Sequence, residues 1–420
     1  MKISLLQYLA RLEPVIVILL LAFYAGVNLP EPLGSPWSKL MKLTAYALVP
    51  LLALIRWKRC LYVASKDIPL LLLTGLALLS FLWSASPDAS LSYGKALFRT
   101  TIFGLYLATC YSPKEQMRMT TWAVGIASLL SLFVCVAMPA TGVSEEGLWQ
   151  GVFNHKNTMA RFMALATLLL TLVSIDNRKR RWLAILGIGL SLFLLVKTQG
   201  KTSLSLLLFG WGLLPIYYAV QQKYKLRTLL ILAVIVIGGG AALWLANNLE
   251  TIIVDGLGKD MTMSGRDELW DALIYRGMQR PWFGYGFAGF WNNKREIFIV
   301  ARLVSWFGTK THGHAHSGFI DLFLQVGFVG VGLYVLSLVT LIGRIIALLN
   351  NTGKVEYFWF LEFTIVSCLF NYTLTQTILN QSELIWLLYI ANAFSTALQQ
   401  ERLNRTRHWM ASKQKQMITS

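Results

Sequence analysis

The sequence alternates between long apolar runs and short polar segments over almost its whole length. A run of roughly 20 apolar residues spans a bilayer as one helix, because the hydrocarbon core is about 30 Å thick and a helix rises about 1.5 Å per residue. The pattern therefore predicts about twelve spans in an all-α polytopic bundle. The approximate spans are 14–28, 41–56, 68–84, 96–111, 120–138, 158–174, 182–197, 203–220, 228–246, 322–348, 356–373 and 383–398.

Composition agrees with a membrane protein and argues against a soluble domain. Of the 420 residues, 55% are hydrophobic and only 14% are charged. The formal net charge of +18 raises the alternative of a nucleic-acid-binding protein. We reject that alternative and expect no nucleic-acid partner, because the basic residues lie in short loops between apolar runs and not in one basic module.

Basic residues concentrate in alternate loops, which predicts the orientation of the chain in the membrane. Such loops lie at 56–66, 113–118, 177–181 and 223–227, and both ends of the chain are basic as well. Loops rich in Lys and Arg stay in the cytoplasm. We therefore expect both termini to be cytoplasmic, which agrees with an even number of spans.

One segment on the opposite, outer face is far longer than the others, at roughly 247–319. A loop of about 70 residues in a compact membrane protein usually has its own structure and function. The predicted organisation is spans one to nine in 1–246, the large periplasmic loop in 247–319, spans ten to twelve in 320–398 and a basic cytoplasmic tail in 399–420.

The sequence of this loop predicts an amphipathic helix at about 264–280. Ser264 is a good N-cap with Asp267 three residues later, apolar residues follow at helical spacing, and Pro281 ends the helix. Arg266 falls in the first turn, where the helix dipole disfavours a cation. We therefore expect an anion to be held near Arg266.

Further cations lie beside the membrane on the outer face, where the positive-inside rule disfavours them. Arg276 and Arg280, near the end of the loop helix, also suit the helix dipole. A group of cations around one mouth indicates an anionic ligand, and a lipid-linked phosphate or diphosphate fits because its oxygens match arginine forks. The other members of the group are Lys95, Arg99, His155, Lys156, Arg161, Lys197 and Lys201.

Three of the five histidines, His312, His314 and His316, occur in "THGHAHSG" at the end of the loop. An imidazole can act as a general base near pH 7. Ser317 can cap the helix of span ten, and the positive end of that helix would favour a neutral imidazole at His316. The alternative for His316 is a helix-terminal histidine without chemistry.

An extended HxHxH segment could bind zinc. No Cys or carboxylate at matching spacing completes such a site, so we expect no metal. His312 and His314 are then either loop residues without a chemical role or neighbours that tune His316.

Four stretches together resemble the superfamily of O-antigen ligases and Wzy-type polysaccharide polymerases. They are "GVFNHKNTMARF" (151–162), "SGRDELWDAL" (264–273), "PWFGYGFAGF" (281–290) and "HSGFIDLFLQVGFVG" (316–330). The last stretch places the family's histidine at His316, with Gly327 and Gly330 after it. Many members have Asn where Ser317 stands here, and the "HKN" triplet is closer to exopolysaccharide polymerases than to ligases.

The resemblance implies a metal-independent glycosyltransferase without a cofactor, with a GT-C-like bundle, in the bacterial inner membrane. Its donor would be a glycan on undecaprenyl diphosphate, its acceptor a glycan or lipid A-core, and a chain-length regulator is a candidate partner. His316 would deprotonate the acceptor hydroxyl and Arg266 would stabilise the departing diphosphate. The other candidate diphosphate ligands are Arg99, Lys156, Arg161, Arg276 and Arg280.

Several functions remain open at this level. Within the superfamily, a polymerase is slightly favoured over an O-antigen ligase. An anion or inorganic-carbon transporter is the alternative from another class, although acids are scarce in the middle of the spans, where Glu362 is an exception. A non-catalytic lipid-binding scaffold is the third alternative.

Overall fold

The computed structural model describes residues 5–31, 34–222, 266–304, 313–373 and 378–419, and all regular elements in these ranges are helical. One antiparallel bridge, between Val143 and Trp149, is the only extended pairing among them. The predicted all-α class is thus confirmed for the described residues. The longer helices are α1 (Leu5–Tyr24), α2 (Gly34–Ile55), α3 (Trp57–Ala64), α4 (Ile68–Leu79), α5 (Pro87–Cys110), α6 (Pro113–Ala137), α7 (Lys156–Asp176), α8 (Arg181–Lys197), α9 (Lys201–Val220), α10 (Arg266–Gly277), α11 (Lys294–Leu303), α12 (Gly318–Thr352), α13 (Val355–Thr373) and α14 (Leu384–Thr419).

Five described helices, α2, α6, α7, α9 and α12, are long and apolar enough to cross a membrane. The pair α3 and α4, bent by 104° at the break between them, adds a sixth if it is one span. The protein is therefore a multi-pass helical membrane protein, while the count of twelve spans stays a prediction. The expected ninth span, 228–246, lies outside the described residues.

The centre of the bundle is α7, whose apolar window is 78% buried. It packs against α8 and α9 on one side and against α6 and α13 on others. A helix that is apolar all round is stable only when other helices surround it or lipid does. Because α7 is enclosed by protein, Arg161 in its second turn is held in a fixed position.

A buried ion pair fixes the far end of α12. Asp67, fully buried, caps α4 by accepting a hydrogen bond from the Leu70 amide at 3.1 Å. Its other carboxylate oxygen pairs with the Arg344 guanidinium, which also donates to the Lys66 carbonyl at 3.1 Å. A paired buried charge is costly to break, so this contact ties α12 to the start of α4.

Helix α12 is interrupted at Gly327, where the backbone leaves the helical region with φ 64° and ψ −167°. The amides after the break bond to the turn that follows α10: Phe328 donates to the Pro281 carbonyl at 2.7 Å and Val329 to that of Trp282 at 3.2 Å. In the reverse direction, the Tyr285 amide donates to the Leu324 carbonyl at 2.7 Å. The turn thus replaces hydrogen bonds that the kinked helix lacks.

The turn that follows α10, residues 281–290, is rich in glycine and aromatic residues. This glycine-aromatic turn also bonds to the segment that connects α4 and α5. The Phe287 amide donates to the Ser80 hydroxyl at 2.7 Å, and the Ser90 hydroxyl donates to the Phe287 carbonyl at 2.6 Å. The Ala85 amide donates to the Tyr285 carbonyl at 2.8 Å. The turn therefore docks on α5 and the residues before it through one backbone hydrogen bond and two that involve serine hydroxyls.

Gly327→Ala should destabilise the fold. A Cβ at this position would lie within 3.0 Å of the Trp282 and Phe283 backbone, and the left-handed conformation adds about 1–2 kcal/mol for any residue with a side chain. We expect a loss of at least about 2 kcal/mol in the free energy of unfolding, measured by denaturation in detergent micelles.

Gly332→Ala is the matched control, because nothing lies within 4 Å of a Cβ at that position of the same helix. Its stability should stay equal or rise by up to about 1 kcal/mol through helix propensity. Equal effects of the two substitutions would show that the close docking at Gly327 does not matter.

Candidate functional site

His316 lies in the short segment 313–317 that leads into α12 and is partly buried. Its backbone φ is 51°, in the left-handed region that residues with side chains rarely adopt. Such a conformation persists only where surrounding contacts determine it, and it is common at functional sites. Here the contacts of the preceding residue, Ala315, hold the backbone in place.

Both backbone groups of Ala315 are fixed by side chains. Its amide donates to the two carboxylate oxygens of Asp321, each at 3.2 Å, and its carbonyl accepts a hydrogen bond from the Trp270 indole at 2.8 Å. Ala315 is itself fully buried. The residue before His316 is thus clamped between α10 and α12, which sets the direction of the chain at the histidine.

Asp321, in the first turn of α12, is the centre of this clamp. The carboxylate is fully buried and also accepts a hydrogen bond from the Trp291 indole at 2.6 Å. Hydrogen bonds to a buried carboxylate offset the cost of removing it from water. The segment that contains His316 and the chain at Trp291 therefore meet helix α12 at one carboxylate, five positions after His316.

Ser317 is the N-cap residue of α12, but its hydroxyl makes no capping hydrogen bond. The prediction that its side chain caps the helix is therefore wrong, although its carbonyl accepts the Asp321 amide at 3.1 Å. The next residue, Gly318, allows a close approach, because a Cβ there would lie within 3.0 Å of the Asn371 carboxamide on α13. Helix α13 thus reaches the start of α12 beside His316.

The His314 ring lies edge-to-face against the His316 ring, with the ring centroids 4.0 Å apart. This contact fits the expectation that His314 sits beside His316, whereas His312 lies outside the described residues. Within the described ranges, no group of three His, Cys, Asp or Glu residues is placed to hold a metal ion.

Arg99 and Arg161 converge on one turn that precedes α14. Arg99, only 8% exposed, donates to the Ser382 hydroxyl at 2.8 Å, and Arg161, equally buried, pairs with Glu383 at 2.8 Å. The turn is held in place by the Ser382 amide, which donates to the Thr100 hydroxyl at 3.1 Å. Two cations that lie 62 positions apart in sequence thus meet two consecutive residues.

Arg99 has remaining capacity for an anion. Its Nε donates to the Tyr24 hydroxyl at 3.3 Å and its guanidinium stacks on the Tyr46 ring at 3.8 Å. Its Nη1 is buried and has no hydrogen-bond partner among the described residues. A buried guanidinium without a carboxylate partner in the described ranges is costly unless a ligand supplies the missing acceptor.

Three other predicted cations are already engaged within the protein. Arg276 donates to Glu296 through Nε at 3.1 Å and Nη2 at 2.5 Å, and Lys156 pairs with the exposed Glu146. Arg280 is exposed, with its guanidinium 4.9 Å from the Tyr285 ring. The charges of Arg276 and Lys156 are therefore offset by carboxylates.

Arg266 is the first residue of α10, and its side chain lies outside the described residues. Ser264, the expected N-cap, lies outside them as well. The helix itself ends at Gly277, four positions before Pro281. Residues four apart share a face of an α-helix, so position 266 is on the same face as Trp270, which bonds to Ala315.

Sequence reasoning did not assign the residues that hold these contacts together. They are Trp270 as donor to the Ala315 carbonyl, Trp291 as donor to Asp321, and Ser382 and Glu383 as partners of the arginines. The acids carried a signal, because carboxylates at the ends of membrane spans are uncommon unless they are paired. The tryptophans carried none, since an interfacial aromatic belt gives the same pattern.

Trp291→Phe should weaken the clamp without emptying the space that the ring fills. The substitution removes the indole donor to buried Asp321, which costs about 1–3 kcal/mol when an acceptor loses its partner. We expect a fall of that size in the free energy of unfolding. Trp282→Phe is the control, because this side chain is 66% exposed, and it should change stability by less than about 0.5 kcal/mol. Similar losses for both would argue against the clamp.

Two comparisons with known proteins agree with this geometry. Residues 164–335 match the family Wzy_C, described as O-antigen ligase, and the match includes α10, the glycine-aromatic turn, His316 and the kink in α12. The chain is also similar to the exopolysaccharide production protein ExoQ of Rhizobium meliloti (strain 1021), with 25% identity over 308 residues that cover 71% of this chain and 69% of the relative. Both comparisons support the resemblance of this chain to the superfamily of O-antigen ligases and Wzy-type polysaccharide polymerases.

Proposed function

We propose that this protein polymerises exopolysaccharide repeat units from undecaprenyl diphosphate at the periplasmic face of the bacterial inner membrane. The resemblance supports a membrane glycan polymerase or ligase, and the similarity to an exopolysaccharide production protein favours the polymerase. The observation that carries the proposal is the strained His316, whose preceding residue is clamped by Asp321 and Trp270. Residues held in such a conformation by their surroundings are concentrated at functional sites.

The proposed reaction forms a glycosidic bond between an acceptor hydroxyl and the anomeric carbon of the donor sugar. The bond from that carbon to the diphosphate oxygen breaks, and undecaprenyl diphosphate leaves with the electron pair. His316 takes the hydroxyl proton, a task for which an imidazole suits neutral pH. General-base assistance of this kind typically contributes about 10²–10⁴ in rate.

Arginines would stabilise the charge that develops on the departing diphosphate. Among the described cations, Arg99 is the best placed to accept a new anion, because its buried Nη1 lacks a protein partner in the described ranges. Arg161 contacts the same turn before α14 and would act beside Arg99, with its charge partly offset by Glu383. Arg266 remains a candidate from the helix face that carries Trp270.

Arg276 and Lys156 fit a structural role better, since each already pairs with a carboxylate. Arg276 connects α10 to α11 through Glu296 and therefore shapes the loop that carries the clamp. Arg280 supports the turn through the Trp83 carbonyl at 3.4 Å and the Tyr285 ring. We thus assign diphosphate binding to Arg99, Arg161 and Arg266 ahead of these three.

His316→Ala should abolish polymerisation. The purified protein, reconstituted with lipid-linked repeat units, should form a ladder of products on a gel, and the variant should slow product formation by about 10²–10⁴. His408→Ala is the control, because this residue lies on the exposed tail of α14 and should leave the rate unchanged.

The same assay separates the alternatives. Transfer that occurs only after a lipid A-core acceptor is added would identify a ligase instead of a polymerase. Anion flux into proteoliposomes that survives His316→Ala and Arg266→Ala would favour a transporter. Glycan output in cells that both substitutions leave intact would favour a non-catalytic scaffold.

Arg99→Gln should weaken donor binding while keeping the helix intact. Charge-assisted hydrogen bonds to a buried arginine contribute about 1.5–3 kcal/mol, so the KM for the lipid-linked donor should rise about tenfold or more. The KM for the acceptor should stay the same. Arg118→Gln, an exposed residue on α6, is the control and should change neither constant. Equal changes for donor and acceptor would exclude a diphosphate-specific role for Arg99.

A further inference from the structure

A polar cavity of about 250 Å³ lies between α3 and the part of α14 that continues beyond residue 398. Its lining residues are distant from His316 in the sequence. Its polar lining comes from Arg59 and Tyr62 on α3 and from Glu401, Arg402 and Arg405 on α14. Three arginines against one glutamate make it an anion-attracting site.

Glu401 is already satisfied by other groups in the cavity. It accepts hydrogen bonds from the Tyr62 hydroxyl at 2.7 Å and from Arg405 at 2.6 Å, and it pairs with Lys66 at 3.1 Å. These donors, the tyrosine hydroxyl first, lower the pKa of Glu401 to about 2. The carboxylate therefore stays ionised and has its partners in Tyr62, Arg405 and Lys66.

Arg59 and Arg402 have no ion-pair partner in the part of the chain that the structure describes. They approach the same cavity from different helices, one from α3 and one from α14. Two guanidinium groups of like charge repel each other across a shared space unless an anion lies between them. Their fork geometry suits the oxygens of a phosphate.

Helix α3 has the character of a helix that lies in the membrane interface. Cys60 and Val63 are buried, whereas Trp57 is 52% exposed and Leu61 is 60% exposed. The sharp bend to α4 separates α3 from the span that follows it. An exposed face of Trp and Leu next to cations is typical of interfacial helices, so the cavity opens where headgroups meet acyl chains.

We propose that the cavity between α3 and α14 binds the phosphate headgroup of an anionic phospholipid, such as phosphatidylglycerol, in the leaflet on the predicted cytoplasmic face. Arg59 and Arg402 contact the phosphate oxygens. Basic pockets between helices on this face are suited to such headgroups. The exposed Trp57 and Leu61, on the other face of α3, suit a helix at the bilayer surface, which favours a lipid over a free phosphate. The bound lipid joins the N-terminal part of the chain to its last helix.

The test uses the full-length protein, purified in detergent and depleted of lipid. Phosphatidylglycerol or phosphatidylcholine is added in increasing amounts, and bound lipid is counted by native mass spectrometry alongside the thermal unfolding midpoint. We expect phosphatidylglycerol to bind and to raise the midpoint, and phosphatidylcholine to do neither. In the variant Arg59→Gln/Arg402→Gln, the affinity for phosphatidylglycerol should fall about tenfold or more.

Arg178→Gln/Arg180→Gln is the matched control, because it removes two exposed arginines from another loop on the same predicted face. It should retain the lipid as the unaltered protein does. An equal loss in both variants would show a diffuse basic surface and overturn the proposal. Unchanged binding in Arg59→Gln/Arg402→Gln would overturn it as well, as would an equal rise in the midpoint with inorganic phosphate alone.

Discussion

Every backbone amide and carbonyl inside a membrane must find a partner within the protein, because lipid tails offer none. The break in α12 at Gly327 would violate this rule if the helix stood alone. The carbonyls of Pro281 and Trp282 meet the requirement by accepting the amides that follow the break. The glycine-aromatic turn is therefore an integral part of the helical bundle, because it completes the hydrogen bonding of α12.

This constraint also explains why the candidate site is built from distant parts of the chain. Once the glycine-aromatic turn is docked on α12, helix α10 lies against the start of the same helix, and Trp270 reaches Ala315. Separately, α5 and α7 bring their buried arginines to the turn before α14. His316 and these arginines are thus held by separate supports, so each can be altered without loss of the other.

The sequence predicted the helical class, the outer-loop helix near Arg266–Gly277 and the motif around His316, because periodicity and residue type are local properties. The ion-pair partners of the arginines could not be predicted from the sequence. Arg276 and Glu296 are 20 positions apart, and Arg161 and Glu383 are 222 positions apart, so no local pattern links them. The kink at Gly327 was also invisible, since glycine is frequent in membrane helices that are not kinked. Ser317 is a suitable cap by residue type, yet its hydroxyl is not used.

Helix α14 runs for 36 residues from the turn that holds Arg99 and Arg161 to the basic end of the chain. At about 1.5 Å per residue it is roughly 54 Å long, and it packs along α5 and α12. A rod of this length acts as a lever: a tilt of about 5° displaces one end relative to the other by roughly 5 Å. A change of tilt at the basic end of α14 can therefore reposition Ser382 and Glu383, next to its other end, without unfolding any intervening segment.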